Sequence, residues 1–209
     1  MNLTPSLKKV FGYYKNTILV NKSWVLLTGV IFVCGVTTGL IISIFVPSFA
    51  EQALKNYASS IDKNVQPGLD LSSYVFVRNI TITTVSSFLG AIFGLVPIFV
   101  TYINGMVLGV VFGYLPINAL ANPFQIFLLI VPHGIFEYLG TFLGMSFGLR
   151  LGINWILDKK DKSRREVFVE DLKKLISIYP LVFLLLVVAA LVEGTVTIKI
   201  SCFLGGLCK

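Results

Sequence analysis

Long apolar runs alternate with short polar stretches along this chain, and the apolar residues come in blocks, without the two-residue alternation of a transmembrane barrel strand. The first run, Trp24–Val46, carries no charge. At about 1.5 Å per residue it is long enough for a hydrocarbon core about 30 Å thick, and too long for a typical signal-peptide core. From Asn79 to Phe136 there is no Asp, Glu, Lys or Arg, so this stretch must cross a bilayer more than once, joined by tight turns.

The block from Tyr74 to Leu115 would be about twice the membrane thickness as one rod, so it must fold back. Gly94–Pro97 and Asn104–Gly105 are the two turn signals available. Turning at Pro97 gives two near-equal crossings, whereas turning at Asn104 leaves the third helix too short. The pattern therefore predicts one all-α domain over residues 1–209, a polytopic membrane bundle of five helices at about 24–46, 75–95, 97–116, 124–150 and 175–197. A polar connection over 47–73 and a basic one over 151–174 join them. Tyr114–Pro123 reads as a loop.

Composition agrees: 56% of the 209 residues are hydrophobic, 13% are charged, and the mean hydropathy is +0.86. The net charge of +7 is concentrated beside apolar runs and is not interleaved with aromatic residues, which argues for membrane orientation and against nucleic acid. Lys8, Lys9, Lys15 and Lys22 precede helix one. Arg150, Lys159, Lys160, Lys162, Arg164, Arg165, Lys173 and Lys174 lie in or beside the connection between helices four and five. Five crossings put both groups on one side and leave Lys55, Lys63, Arg78, Lys199 and Lys209 for the other, so the positive-inside rule predicts N-terminus in and C-terminus out in a multi-pass cell-membrane protein. Cys34 reads as a small buried hydrophobe; Cys202 and Cys208 are either a bonded pair on an oxidising side or free thiols.

Phe49, Ala53, Tyr57 and Ile61 recur every four residues outside, and Leu3, Leu7, Val10, Phe11, Tyr14 and Ile18 form an apolar stripe inside. Each suits an amphipathic helix, lying on the lipid surface or packed on the bundle. Glycines also recur every four residues: Gly35 and Gly39; Gly105, Gly109 and Gly113; Gly140, Gly144, Gly148 and Gly152; and Gly90 with Gly94. Such faces allow close helix approach, either within one bundle or in a homo-oligomer.

Candidate chemistry is concentrated in Val131–Gly140, "VPHGIFEYLG", which carries the only histidine of the chain. His133 and Glu137 share a helix face, and Asn104 falls at about the depth of Glu137. Pro132 removes a donor from the Leu128 carbonyl, and Gly134 further loosens the helix, so a local distortion is expected beside an ionisable pair. A zinc protease motif would need a second histidine, and no G-x-S-x-G nucleophile occurs, so neither catalytic residues, metal ligands nor a cofactor are expected. The pair is read either as structural or as a path for protons or solutes, with Glu137 paired to His133 or Asn104.

Through Pro132–Glu137, "PHGIFE", with Asn104–Gly105 and Asn79, the chain resembles the stage II sporulation protein M family over nearly its whole length. The resemblance implies a non-enzymatic membrane scaffold that positions other membrane or cell-envelope proteins. The family's namesake is implicated in engulfment during endospore formation, anchoring a complex with peptidoglycan-remodelling enzymes. The family is also widespread where no spores form.

Overall fold

The structure is a computed structural model that describes residues 5–59, 64–157 and 162–204. Every regular element among them is helical: α1 (Pro5–Val20), α2 (Lys22–Phe45), α3 (Pro47–Ser59), α4 (Leu69–Phe88), α5 (Leu95–Ile117), α6 (Pro123–Leu157), α7 (Arg164–Val192) and α8 (Ile198–Phe203). A 3-10 turn at Leu89–Ala91 links α4 to α5, and a π-helical turn at Glu193–Thr197 joins α7 to α8. Among the residues named above, Leu3, Ile61, Lys63, Lys159, Lys160, Cys208 and Lys209 lie outside the described residues.

The packing is turned inside out relative to a water-soluble domain. Leu26, Phe45, Phe99, Phe124 and Leu184 are exposed, while Thr28, Ser43, Thr83, Ser87, Thr101 and Ser146 are buried. Helices whose outer face meets hydrocarbon are expected to look like this. Four helical stretches are long and apolar enough to cross a bilayer: Lys22–Phe45, Leu95–Ile117, Pro123–Leu157 and Arg164–Phe203. The expected second crossing, α4, has 20 residues but carries Asp70, Arg78, Asn79 and many hydroxyls. It is a polar helix held among α6, α7 and the π turn. Buried hydroxyls of α4 return to nearby backbone, Ser72 Oγ to Gly68 O at 3.2 Å and Ser87 Oγ to Thr83 O at 2.6 Å, so they enter the interior already satisfied.

Several boundaries differ from the pattern-based expectation. The α4–α5 reversal occupies Leu89–Gly94, ahead of Pro97, and uses left-handed backbone at Phe93 (φ 52°) and Gly94 (φ 70°). Pro97 instead sits in the first turn of α5, where its missing N–H costs nothing. The Tyr114–Pro123 loop shrinks because α5 continues through Pro116 to Ile117, and Pro123 starts α6. Most of the basic connection at 151–174 is helix. α6 runs on to Leu157, and α7 starts at Arg164 under a capping box in which the Ser163 side chain accepts from Glu166 N and the Glu166 carboxylate accepts from Ser163 N. Pro132 and Gly134 do not break α6, which is one helix of 35 residues.

Glycine seams set the helix separations. A Cβ on Gly35 or Gly39 of α2 would overlap backbone of Tyr102 or Met106 in α5, and one on Gly105 or Gly109 would overlap the Phe32 or Val36 carbonyl in α2. Gly113 faces Ser43. Along α6 the partners change with height: Gly140 meets Leu185 and Leu186 of α7, Gly144 meets Thr83 and Ser87 of α4, and Gly148 meets Ser87 and Pro97. Gly152 lies against Gly90 and Gly94 of the α4–α5 reversal. Beside this seam, Leu143, Phe147 and Leu151 of α6 interlock with Leu175, Ile178, Val182 and Leu186 of α7 to form the main core.

Gly109→Ala should destabilise the bundle by about 1–3 kcal/mol, the usual cost of overpacking. Gly29→Ala, where a Cβ meets nothing within 4 Å, should be neutral or slightly stabilising. Thermal unfolding of both variants in detergent, with sizing to record association state, checks the contrast.

Candidate functional site

His133 and Glu137 project from one face of α6 toward the end of α7, where the backbone widens into the π turn. A π turn is seldom stable by itself and recurs at functional positions. Here it carries Glu193 at its start and Thr197 at its end. Thr197 Oγ1 lies 3.1 Å from His133 Nδ1, so the imidazole is held from α6's neighbour and not by Glu137. Ligand-type atoms of His133, Glu137 and Glu193 all lie within 4.8 Å of one another, each residue being half-buried.

α4 closes the other side. Asn79 is within hydrogen-bonding reach of Glu137, and the Arg78 charge faces both Glu137 and Glu193. Arg78 also lies over the Tyr57 ring of α3, 5.3 Å from its centroid, a cation–π contact that holds α3 to the cluster. Together these residues line a cavity of about 560 Å³, whose remaining wall is mostly apolar side chains of α4, α5 and α6.

Of the four polar residues predicted from sequence, three line this cavity: His133, Glu137 and Asn79. Asn104 is placed differently. Its amide donates to Val100 O at 2.9 Å in its own helix, and it reaches Glu137 only across a separate pocket of about 30 Å³ shared with Asn79 and Thr101. That volume suits roughly one or two water molecules, and Thr101 Oγ1, buried without a protein partner among the described residues, borders it. Sequence reading missed Arg78, counted as a flanking charge, and Glu193, the one acidic residue of the last apolar run. An ionisable residue inside a span is itself a functional signal, and that signal was present at Glu193.

A second polar cluster lies at the opposite end of α6, roughly 25 Å along the helix from His133. Arg150 Nε donates to Asp171 Oδ1 at 2.7 Å, and Arg150 Nη1 donates to Asn21 Oδ1 at 2.9 Å. Asn154 Nδ2 donates to Asp171 Oδ2 at 2.7 Å, and Lys174 adds a contact at 3.3 Å. Asp171 is 2% exposed and Asn21 1%. This network ties α6, α7 and the α1–α2 joint together, and Asn21 Nδ2 is left buried without a partner among the described residues.

The sequence profile described as stage II sporulation protein M matches residues 19–198, which takes in α2 to α7, both clusters and the π turn. The chain belongs to the stage II sporulation protein M family. With its apolar helices, this family member is a membrane protein. It is also similar to an uncharacterized protein of Methanocaldococcus jannaschii, 27% identical over 184 residues that cover 86% of this chain and 97% of the relative. No solved structure matches.

Two substitution pairs test the clusters. Glu137→Gln keeps a group that can bond Asn79, whereas Glu137→Leu strands the amide and should cost about 1–3 kcal/mol in stability. Arg150→Met should cost about 3–5 kcal/mol by leaving Asp171 buried and uncompensated, and Arg150→Met with Asp171→Leu should recover much of the loss. Chemical or thermal unfolding in one detergent measures all four.

Proposed function

We propose that this family member is a five-crossing scaffold of the cell membrane, N-terminus in and C-terminus out, that positions membrane or cell-envelope partner proteins. The observation that carries this reading is length. α6 has 35 residues, roughly 52 Å, against a hydrocarbon core of about 30 Å, and Arg164–Phe203 spans 40 residues. The α6–α7 hairpin thus continues beyond the bilayer as a stiff surface. The Arg150–Asp171 network fixes its base, Tyr14 and Ile18 of α1 pack against its core, and Val169 and Glu170 remain exposed on it. A rigid, charged projection on a bundle sealed by glycine seams suits docking.

Orientation is supported from both ends. The basic residues gather at the hairpin and α1, and Cys202, beyond the opposite end of α7, is disulfide-bonded, as suits an oxidising compartment. Arg164 lies over the Trp155 ring, 6.0 Å from its centroid, a cation–π contact between the end of α6 and the start of α7.

A second reading is favoured by one observation, the 560 Å³ cavity lined by His133, Glu137, Glu193 and Arg78. Ionisable groups facing a cavity in the bundle suit handling of an ion, proton or small solute, and no docking role requires them.

A photo-crosslinking residue at Val169 should give an adduct of defined mass in intact cells, while one at Ile41 on the exposed face of α2 should not. Absence of any Val169 adduct, together with proton or solute flux in liposomes that Glu137→Gln abolishes, would replace scaffold by transporter. After reduction, an impermeant thiol reagent should label Cys202 from outside the cell; protection from it would reverse the orientation.

A further inference from the structure

We propose that His133, Glu137 and Glu193 bind one divalent transition-metal ion, of which Zn²⁺ is the representative, in the cavity between α6 and the π turn. The site stands on the cavity and is independent of the docking reading.

The argument begins with geometry. Three potential ligands from two separate elements converge with their ligand atoms within 4.8 Å of one another. Around a common ion at about 2.0–2.2 Å, ligand atoms sit roughly 3–3.5 Å apart, so side-chain rotation of an ångström or so completes the set. Nothing in helix packing requires this convergence. An α-helical continuation of α7 would be the default, and the chain adopts a π turn where Glu193 and Thr197 must face α6.

Charge gives an independent reason. Two carboxylates this close in a poorly hydrated interior repel, and each needs compensation. Among the described residues, Arg78 is the positively charged side chain that lines the cavity, and its single charge serves both Glu137 and Glu193. One negative charge is left over. A divalent cation balances it with one charge to spare, and a proton shared between the carboxyls is the competing solution.

The surroundings resemble those of a metal ligand shell. Metal-binding histidines usually have their ring orientation fixed by a second hydrogen bond, and Thr197 provides one at 3.1 Å. Asn79 does the same for Glu137. One imidazole with two carboxylates favours Zn²⁺, Mn²⁺, Fe²⁺ or Co²⁺ over Mg²⁺, which holds its waters and prefers oxygen alone. Three protein ligands leave a coordination position facing the cavity, open to water or to an anionic group.

Because His133 is the only histidine of the chain, one modification reads the site directly. The purified full chain, stripped with chelator, is titrated with Co²⁺ and Zn²⁺ in detergent, and His133 acylation by diethylpyrocarbonate is followed with and without metal. Co²⁺ should bind at one ion per chain with visible ligand-field bands, and Zn²⁺ should displace it. Zn²⁺, but not millimolar Mg²⁺, should protect His133 from acylation. Glu193→Gln should weaken binding by at least about tenfold and Thr197→Val by about tenfold. Glu51→Gln and Cys34→Ser, remote from the cavity, should bind as the parent does. No binding by the folded parent, binding without protection of His133, or undiminished binding by His133→Ala with Glu193→Gln would each overturn the proposal. The protection experiment needs no variant, so it stands if a substituted chain fails to fold.

Discussion

Close approach of helix backbones is the constraint on which this bundle depends. Lipid offers apolar side chains no better partner inside the protein than outside it, so the association of α2 with α5 and of α6 with its neighbours must come from contact area and weak backbone polar contacts. Gly35, Gly39, Gly105 and Gly109 bring α2 and α5 together at a distance no side chain at those positions would allow. The ladder on α6 does something less uniform. Its four rungs face α7, α4, the α5 entry and the α4–α5 reversal in turn, so one helix sets the positions of the others.

Within that frame the two polar clusters have opposite characters. In the Arg150–Asp171 network both carboxylate oxygens accept protein donors, and the guanidinium reaches back to Asn21. Such a network specifies one arrangement of helices. The His133–Glu137–Glu193 cluster is open to a cavity and carries two acids against one arginine. Its electrostatics are complete only with something bound, a proton or an ion.

Much of the helical layout was legible because hydropathy and length are sufficient for it: the first run and α2 nearly coincide, and the proline before Phe124 does start α6. The reversal before α5 ends at Gly94, the first residue of the Gly94–Pro97 turn signal; it was set at Pro97 because that proline is equally at home in a turn and in the first turn of a helix, while Phe93 looks apolar and ordinary. The basic stretch 151–174 was read only as a connection between helices, although Val167, Asp171 and Leu175 recur every four residues and are buried. At the site, His133 and Glu137 were found from their cost in lipid, and Asn79 through the family resemblance. Glu193 was missed because its meeting with His133 depends on a π turn, which has no periodicity signature in a single sequence. Arg150 was counted only for orientation, as if it faced water, and its buried partner Asp171 was not singled out at all.

The polarity of α4 bears on how such a chain could enter a membrane at all. Insertion scales assign an unfavourable cost of about 2.5–3.5 kcal/mol to each central arginine or aspartate, and α4 adds asparagine and numerous hydroxyls to Arg78. Taken alone, it would tend to remain outside. Its hydrophobic compensation resides in α5, directly after a reversal too short to let the two separate. If α4 crosses the bilayer, as the proposed topology has it, it would enter with α5 as a hairpin, and α2 would be the glycine partner that α5 meets. On that topology the unit that partitions into the bilayer is a group of three helices, α2, α4 and α5, in place of one helix at a time.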